Sequence, residues 1–167
     1  MLNEATFEVG SGKMRMSDPC YTRDDGVYRS AAMTVPVRNG TWYAVVERSD
    51  GRIATLCVYH EAVAPCREGE PVGEDRFGVD SGQFGFFDDA EYPQGEVGEY
   101  SDPQSFYARC CTATSGKQLF GAVDGVGVVS SSGDGDGSYR VTGRKIGDEY
   151  VSLRVVFIGE EDEEDES

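Results

Sequence analysis

The tripeptide Asp80-Ser81-Gly82, set in VDSGQFGFFD (Val79 to Asp88), is the one on which aspartic proteases carry a catalytic carboxylate. That chemistry needs two carboxylates close enough to share a proton. The chain has one Asp-Ser-Gly, so a protease would have to be a symmetric dimer. The phenylalanine-rich GQFGFF that follows reads instead as a strand entering a core. The tripeptide then reads as a turn, with the Asp80 side chain bonded to nearby backbone N–H groups and Gly82 taking the unusual φ.

A second acidic stretch, Ser130-Ser131-Ser132-Gly133-Asp134-Gly135-Asp136-Gly137-Ser138-Tyr139, has the composition of a calcium loop. Placed on the EF-hand pattern with Ser132 first, Gly137 falls at the required sixth position. The twelfth, which should be a bidentate Glu, is Gly143. Two readings stay open: a flexible connection between strands, or a Gly-rich loop whose N–H groups cradle an anion against the opposition of its own acids. Cys57, His60 and Cys66 offer softer ligands, but positions three apart on a strand face opposite ways, so Cys57 and His60 cannot share a zinc without a bulge. His60 is the sole histidine and the only imidazole base available to a Ser or Cys nucleophile. No G-x-S-x-G elbow surrounds Ser81 or Ser131. Gly12-Lys13 and Gly116-Lys117 lack the Ser or Thr that completes a P-loop.

The elements that must hold these residues are mostly strands. Between Ala31 and His60, Asn39-Gly40 and Asp50-Gly51 separate MTVPVR, TWYAVVER and RIATLCVYH, which predicts a three-strand meander with type I′ turns. Trp42, Ala44 and Val46 share one face, opposite Tyr43, Val45 and Glu47. In the next strand Ile53, Thr55, Cys57 and Tyr59 oppose Ala54, Leu56 and Val58. Pro36 costs a ladder donor and pushes its strand toward an edge. A short hairpin is expected from Thr6–Val9 and Lys13–Met16 around Gly10-Ser11-Gly12, and Arg67 to Asp75 is a polar connection. Later strands are expected at Gly125–Val129, Tyr139–Thr142 and Tyr150–Ile158, the last with Val151, Leu153, Val155 and Phe157 alternating. One helix stands out: Ser101-Asp102-Pro103 as its start, Gln104 to Ala113 as its body and Gly116 as its end. The expected fold is mainly β, an antiparallel sandwich or partly open barrel with one or two short helices.

Bulk composition narrows the function classes. The chain holds 31 acidic against 15 basic residues, a net charge of −16. Seven of the acids form the block Glu160 to Glu166, which repels itself and reads as a disordered tail; setting them aside leaves −9 on the rest. The expected organisation is one domain over residues 1–158 with an acidic tail at 159–167. Such charge opposes direct binding to nucleic acid or an anionic membrane, since phosphates need clustered cations. It suits solubility, or less directly a decoy that mimics an acidic ligand and binds a basic partner. No basic start or apolar core of a leader is evident at Met1-Leu2-Asn3-Glu4, and no apolar run approaches a membrane span. An odd set of five cysteines fits reduced thiols, and the expected location is the cytoplasm.

The order of motifs adds one more reading. SGKMRMSDPCY (Ser11 to Tyr21), WYAVVERSDGRIATLCV (Trp42 to Val58), FGVDSGQFGFFD (Phe77 to Asp88) and GVVSSSGDGDGSYRVTGR (Gly127 to Arg144) are followed by an apolar strand ending near Phe157. This progression resembles the domain of unknown function 4241 family over about residues 7–157. The resemblance implies a small bacterial or phage accessory protein and supplies no catalytic residue. Where that family often reads S-G-x-G-D-G, this chain places Asp134 in the variable slot.

Asp18, Asp80, Asp88 and Asp136 each lie where a β run meets a turn, beside Ser, Gly or Pro. Either each caps its own turn, or the connections gather around a pocket. The leading expectation is a non-enzymatic binding domain that holds a small polar ligand or a protein partner. Its candidate site residues are Asp18, Asp80, Ser81, Asp88, Ser131, Ser132, Asp136 and Tyr139. The alternative is a metal-dependent hydrolase that uses the four aspartates on a divalent cation, which requires them to converge.

Overall fold

The structure, a computed structural model, describes residues 4–28, 31–65, 69–73 and 76–159. The expected acidic tail, Cys66 and part of the Arg67–Asp75 connection therefore lie outside the described residues. The described residues form twelve strands and two short α-helices: β1 (Glu4–Val9), β2 (Lys13–Ser17), α1 (Arg23–Tyr28), β3 (Met33–Pro36), β4 (Gly40–Ser49), β5 (Arg52–His60), β6 (Glu70–Pro71), β7 (Phe77–Val79), β8 (Gln83–Asp88), α2 (Phe106–Ser115), β9 (Phe120–Val123), β10 (Gly127–Ser131), β11 (Gly137–Ile146) and β12 (Glu149–Val156). No helix among the described residues is long and apolar enough to cross a membrane.

The strands make two antiparallel sheets, not a closed barrel. A seven-stranded sheet runs β1-β4-β5-β12-β11-β6, with β7 also on the outer side of β11, and a five-stranded sheet runs β3-β2-β8-β10-β9. Between them lies a core that includes Phe7, Met14, Met16, Trp42, Leu56, Phe84, Phe86, Leu153 and Phe157. The expected inward set Val151, Leu153, Val155 and Phe157 is buried as the alternation requires. Phe84 sits at the centre, its ring edge-on to Phe77, Phe86 and Phe157. A second apolar cluster covers the outside of the five-stranded sheet, where α2 and the segment before it place Tyr92 and Phe106 against Phe87. Strand β8 is thus buried on both faces, one reason QFGFFD is so apolar.

Several sequence expectations need correction, and the reasons are local. β1 and β2 are not a hairpin: β1 pairs with β4 and β2 with β3 and β8, so Gly10-Ser11-Gly12 is a corner between sheets. The meander is likewise two strands, not three. β4 and β5 form a hairpin over Asp50-Gly51, whose φ values of 51° and 78° suit a type I′ turn. β3, however, belongs to the other sheet, where it is the edge strand that Pro36 favours. The chain changes sheets through Val37–Asn39, held by Val37 N–H to Gly12 O (3.0 Å), Gly12 N–H to Asn39 Oδ1 (2.6 Å) and Trp42 Nε1–H to Arg38 O (2.9 Å). In β5 a bulge opposite Glu47 and Arg48 shifts the parity, so Ile53 joins Leu56 and Val58 in the core instead of sharing the face of Thr55 and Cys57. The helix begins a turn later than expected. Asp102 caps a preceding turn through Gln104 N–H (3.0 Å), and Ser105 is the N-cap, its hydroxyl oxygen accepting from Ala108 N–H (3.1 Å).

Candidate functional site

β2 ends where Ser17-Asp18-Pro19 turns the chain, and the Asp18 carboxylate is fully buried at that point. Its Oδ1 accepts from Cys20 N–H at 2.8 Å, which closes the local turn, and from Ser81 Oγ at 2.6 Å. Its Oδ2 accepts from Asp80 N–H at 2.8 Å and Ser81 N–H at 2.7 Å. Four donors meet the roughly four acceptor positions a carboxylate offers, so Asp18 has no remaining site for a metal or a substrate proton. The expected Asx turn at Asp80 is therefore inverted: Asp18, sixty-two residues upstream of Asp80, supplies the carboxylate that holds the Asp80-Ser81-Gly82 backbone. Gly82 takes the positive φ of 70° as expected.

Asp80 itself is exposed and accepts the Tyr21 hydroxyl, which is buried beneath it. Burial, then the bond and charge of Asp80, push the Tyr21 phenol far above its ordinary range. Ser81 is half-buried at the centre of a polar cluster. Gln83 Nε2 lies 3.4 Å from both Ser81 Oγ and Cys111 Sγ, and Thr114 Oγ1 donates to Gln83 Oε1 at 3.0 Å. Burial pushes the Tyr107 phenol up to about 12, with a hydrogen bond to Ser81 acting against it and one to Cys111 acting with it. The Cys20 thiol is also pushed up, first by burial and then by Asp18, which makes it a poor nucleophile.

The third motif joins from the other side. Ser132 N–H donates to Gly82 O at 3.0 Å, so the Ser130–Tyr139 loop leans on the Asp80-Ser81-Gly82 turn. The loop is tied internally: Ser132 Oγ and Tyr139 Oη both donate to Gly135 O at 2.7 Å. Of the remaining candidates, Ser131 extends β10 and donates its N–H to Leu119 O at 2.8 Å, while Asp136 is exposed at the loop. Asp134 pairs with Arg52.

Asp88 does not belong to this group. In the ladder Ser17 faces Gly85 and Met14 faces Asp88, which separates Asp18 from Asp88 by four strand positions, about 13 Å. Asp88 accepts from Gly10 N–H (3.0 Å) and Ser11 Oγ, pinning the β1–β2 corner, and from Ala90 N–H (3.3 Å). The four aspartates therefore do not converge, and no group of three His, Cys, Asp or Glu able to hold a metal ion occurs among the described residues. His60 serves the fold. Its Nε2 meets Asn39 O at 2.8 Å, Nδ1 accepts from Ala62 N–H at 3.1 Å, and its ring lies edge-on to Trp42. The Cys57 thiol lies instead beside Ser152, on the opposite face from His60, as strand parity requires.

Sequence reasoning missed Cys20, Tyr21, Gln83, Tyr107, Cys111 and Thr114. A signal was present for three of them: Tyr107, Cys111 and Thr114 are spaced as one face of a helix and include polar groups where the rest of α2 packs on Phe87. No family model matches the chain, and neither does a curated protein or a solved structure.

Proposed function

We propose that the protein is a binding domain whose loop end takes a small polar ligand, or the polar tip of a protein partner, that offers hydroxyl and ammonium donors. One observation carries the reading: the buried Asp18 carboxylate fixes the β2 end and the Asp80-Ser81-Gly82 turn together, leaving Asp80, Ser81, Tyr107 and Cys111 as a rigid, accessible acceptor surface. A hydrolase driven by a metal on the four aspartates is not retained, because Asp18 is saturated and Asp88 is distant. The cytoplasm is the proposed location, supported by free thiols at Cys20, Cys57, Cys110 and Cys111. Net charge supports a reading in which nucleic acid is not a direct partner. Membership of the domain of unknown function 4241 family is proposed on motif order alone.

Chemical-shift mapping with glucosamine, which carries both donor types, tests the site. The expected result is a set of shifts centred on the Asp80, Ser81, Tyr107 and Cys111 amides that persists at about 0.3 M salt, where exposed charges are largely screened. Asp80→Asn should remove them while leaving the rest of the spectrum in place. Shifts that spread over the acidic surface, or that survive Asp80→Asn, would refute the assignment.

A further inference from the structure

We infer that Arg15 and Arg23, which flank the Tyr92 ring on the outer side of the five-stranded sheet, form a binding site for a small monatomic anion of the halide class. Strand parity sets it up. Met14 and Met16 of β2 face the core, so Arg15 between them points to the opposite side, where its ladder partner is Phe87. There the segment that follows β8 lays Tyr92 over it, with the guanidinium carbon 4.2 Å from the ring centroid. α1 brings Arg23 to the same ring, at 5.8 Å.

The charges here do not balance. Arg15 is 2% exposed, yet among the described residues its hydrogen bonds go only to neutral oxygens, from Nε–H to Ser17 Oγ at 3.1 Å and from Nη2–H to Thr22 O at 3.3 Å. The Tyr92 face attracts the cation but carries no net charge. Asp89 is bound to Arg23 instead, its Oδ1 accepting from Nη1–H at 2.8 Å. Arg23 Nη2–H donates to Asp89 O and to Tyr92 O (2.9 Å), whereas Arg23 Nε–H is buried and has no hydrogen-bond partner among the described residues. Two guanidiniums and one carboxylate leave one positive charge in excess, beside the aromatic cluster of Phe87, Tyr92 and Phe106. A buried charge left without a counter-ion is costly. Burial pulls the Arg15 guanidinium below its usual range, and Asp89 does little to restore it.

Charge and geometry select the ligand class. A single negative charge cancels the excess, while a phosphate or sulfate dianion would set its second charge against Asp89. A monatomic ion accepts hydrogen bonds from any direction. It can therefore take the Arg23 Nε–H together with the N–H groups of Arg15 that Ser17 and Thr22 do not use, since a guanidinium carries five donors. The bond from Arg15 to Thr22 O, the residue before Arg23, and the shared Tyr92 ring hold the two guanidiniums close enough for the charge of Arg23 to act on Arg15. Entry is from the edge where the Arg23 and Asp89 side chains are each 21% exposed.

Thermal unfolding at a fixed ionic strength of about 0.3 M, with sodium gluconate replaced stepwise by sodium chloride, separates binding from general screening of the acidic surface. Gluconate is a monoanion too bulky for the site. The expected result is a saturable rise in melting temperature with chloride, reproduced by bromide. A Kd of about 10 mM would raise the folded-to-unfolded ratio about twentyfold at about 0.2 M chloride. The Nε–H resonances of Arg15 and Arg23 should shift along the same saturation curve. Arg23→Gln should abolish the chloride response, and Arg15→Met serves as the second variant if the first does not fold. A residue that only holds the fold would lower the melting temperature equally in the two salts. Equal melting in chloride and gluconate, a chloride response that survives both variants, or shifts confined to other N–H groups would each overturn the inference.

Discussion

Tyr92 shows how one side chain can set a stability limit outside the loop-end site. It is buried beneath the segment that leads to α2, and its hydroxyl donates to Tyr21 O at 2.5 Å. The Arg15 guanidinium, almost fully buried in the middle of β2, lies 4.2 Å above its ring. Burial pushes the Tyr92 phenol from 10 up to about 12, and Arg15 only partly opposes it. The unfolded chain gives up this proton near pH 10 while the folded chain keeps it. The stabilisation is therefore complete below pH 10 and is lost as pH rises to about 12, a decline of about 2–3 kcal/mol. Denaturant unfolding across that window should show the decline, and Tyr92→Phe should make it shallower by about that amount, the remainder belonging to Tyr21, Tyr107 and Cys20, even though the variant starts lower by one hydrogen bond. An equally steep decline in Tyr92→Phe would assign the effect to other groups.

The β3–β4 connection makes the same kind of argument for a structural element. Gly40 opens β4 with φ of 136°, and a side-chain carbon there would come within 2.7 Å of His60 Nε2, the atom that holds Asn39 O. Gly40→Ala should cost about 1–3 kcal/mol through backbone strain and displacement of the imidazole, read as a lowered melting temperature with loss of the Trp42–His60 ring contact. Elements of this kind explain what the sequence could disclose. Periodicity located β4, β5 and β12 and, apart from Ile53 beyond the β5 bulge, their faces, because alternation records which face is buried, whereas β8 was legible only from its apolar composition. It was silent on sheet membership, since Gly10-Ser11-Gly12 and Asn39-Gly40 supply positive φ equally to a hairpin and to a corner between sheets. The burial of Arg15 leaves no trace for a related reason: Met14-Arg15-Met16 alternates as a strand with a wet face should, but Tyr92 and Thr22 O cover that face.

Across the whole molecule, the candidate site was legible as motifs but not as geometry. Asp18, Asp80, Ser81, Ser132 and Tyr139 come together because β2, β7, β8, β10 and β11 all end on one side of the sandwich. Asp88 shares their composition but sits at the far end of β8, and only the β2–β8 register reveals this. The sheet order has a further result that can be measured. β12 lies between β5 and β11 and contributes Val151, Leu153 and Val155 to the core, so a chain ended at Ile146 leaves two unpaired edges and a gap in the main apolar cluster. Such a truncated chain should show no cooperative thermal transition, and a sharp one would argue that the five-stranded sheet is stable alone.

Because β12 is an interior member of the larger sheet yet follows both of its neighbours in the chain, β5 and β11 lack the strand between them until residues 149–156 have left the ribosome. Until then β5 and β11 present their hydrogen-bonding edges to solvent or to other chains, so the interval between making β11 and making β12 is when this sheet is most open to wrong pairing.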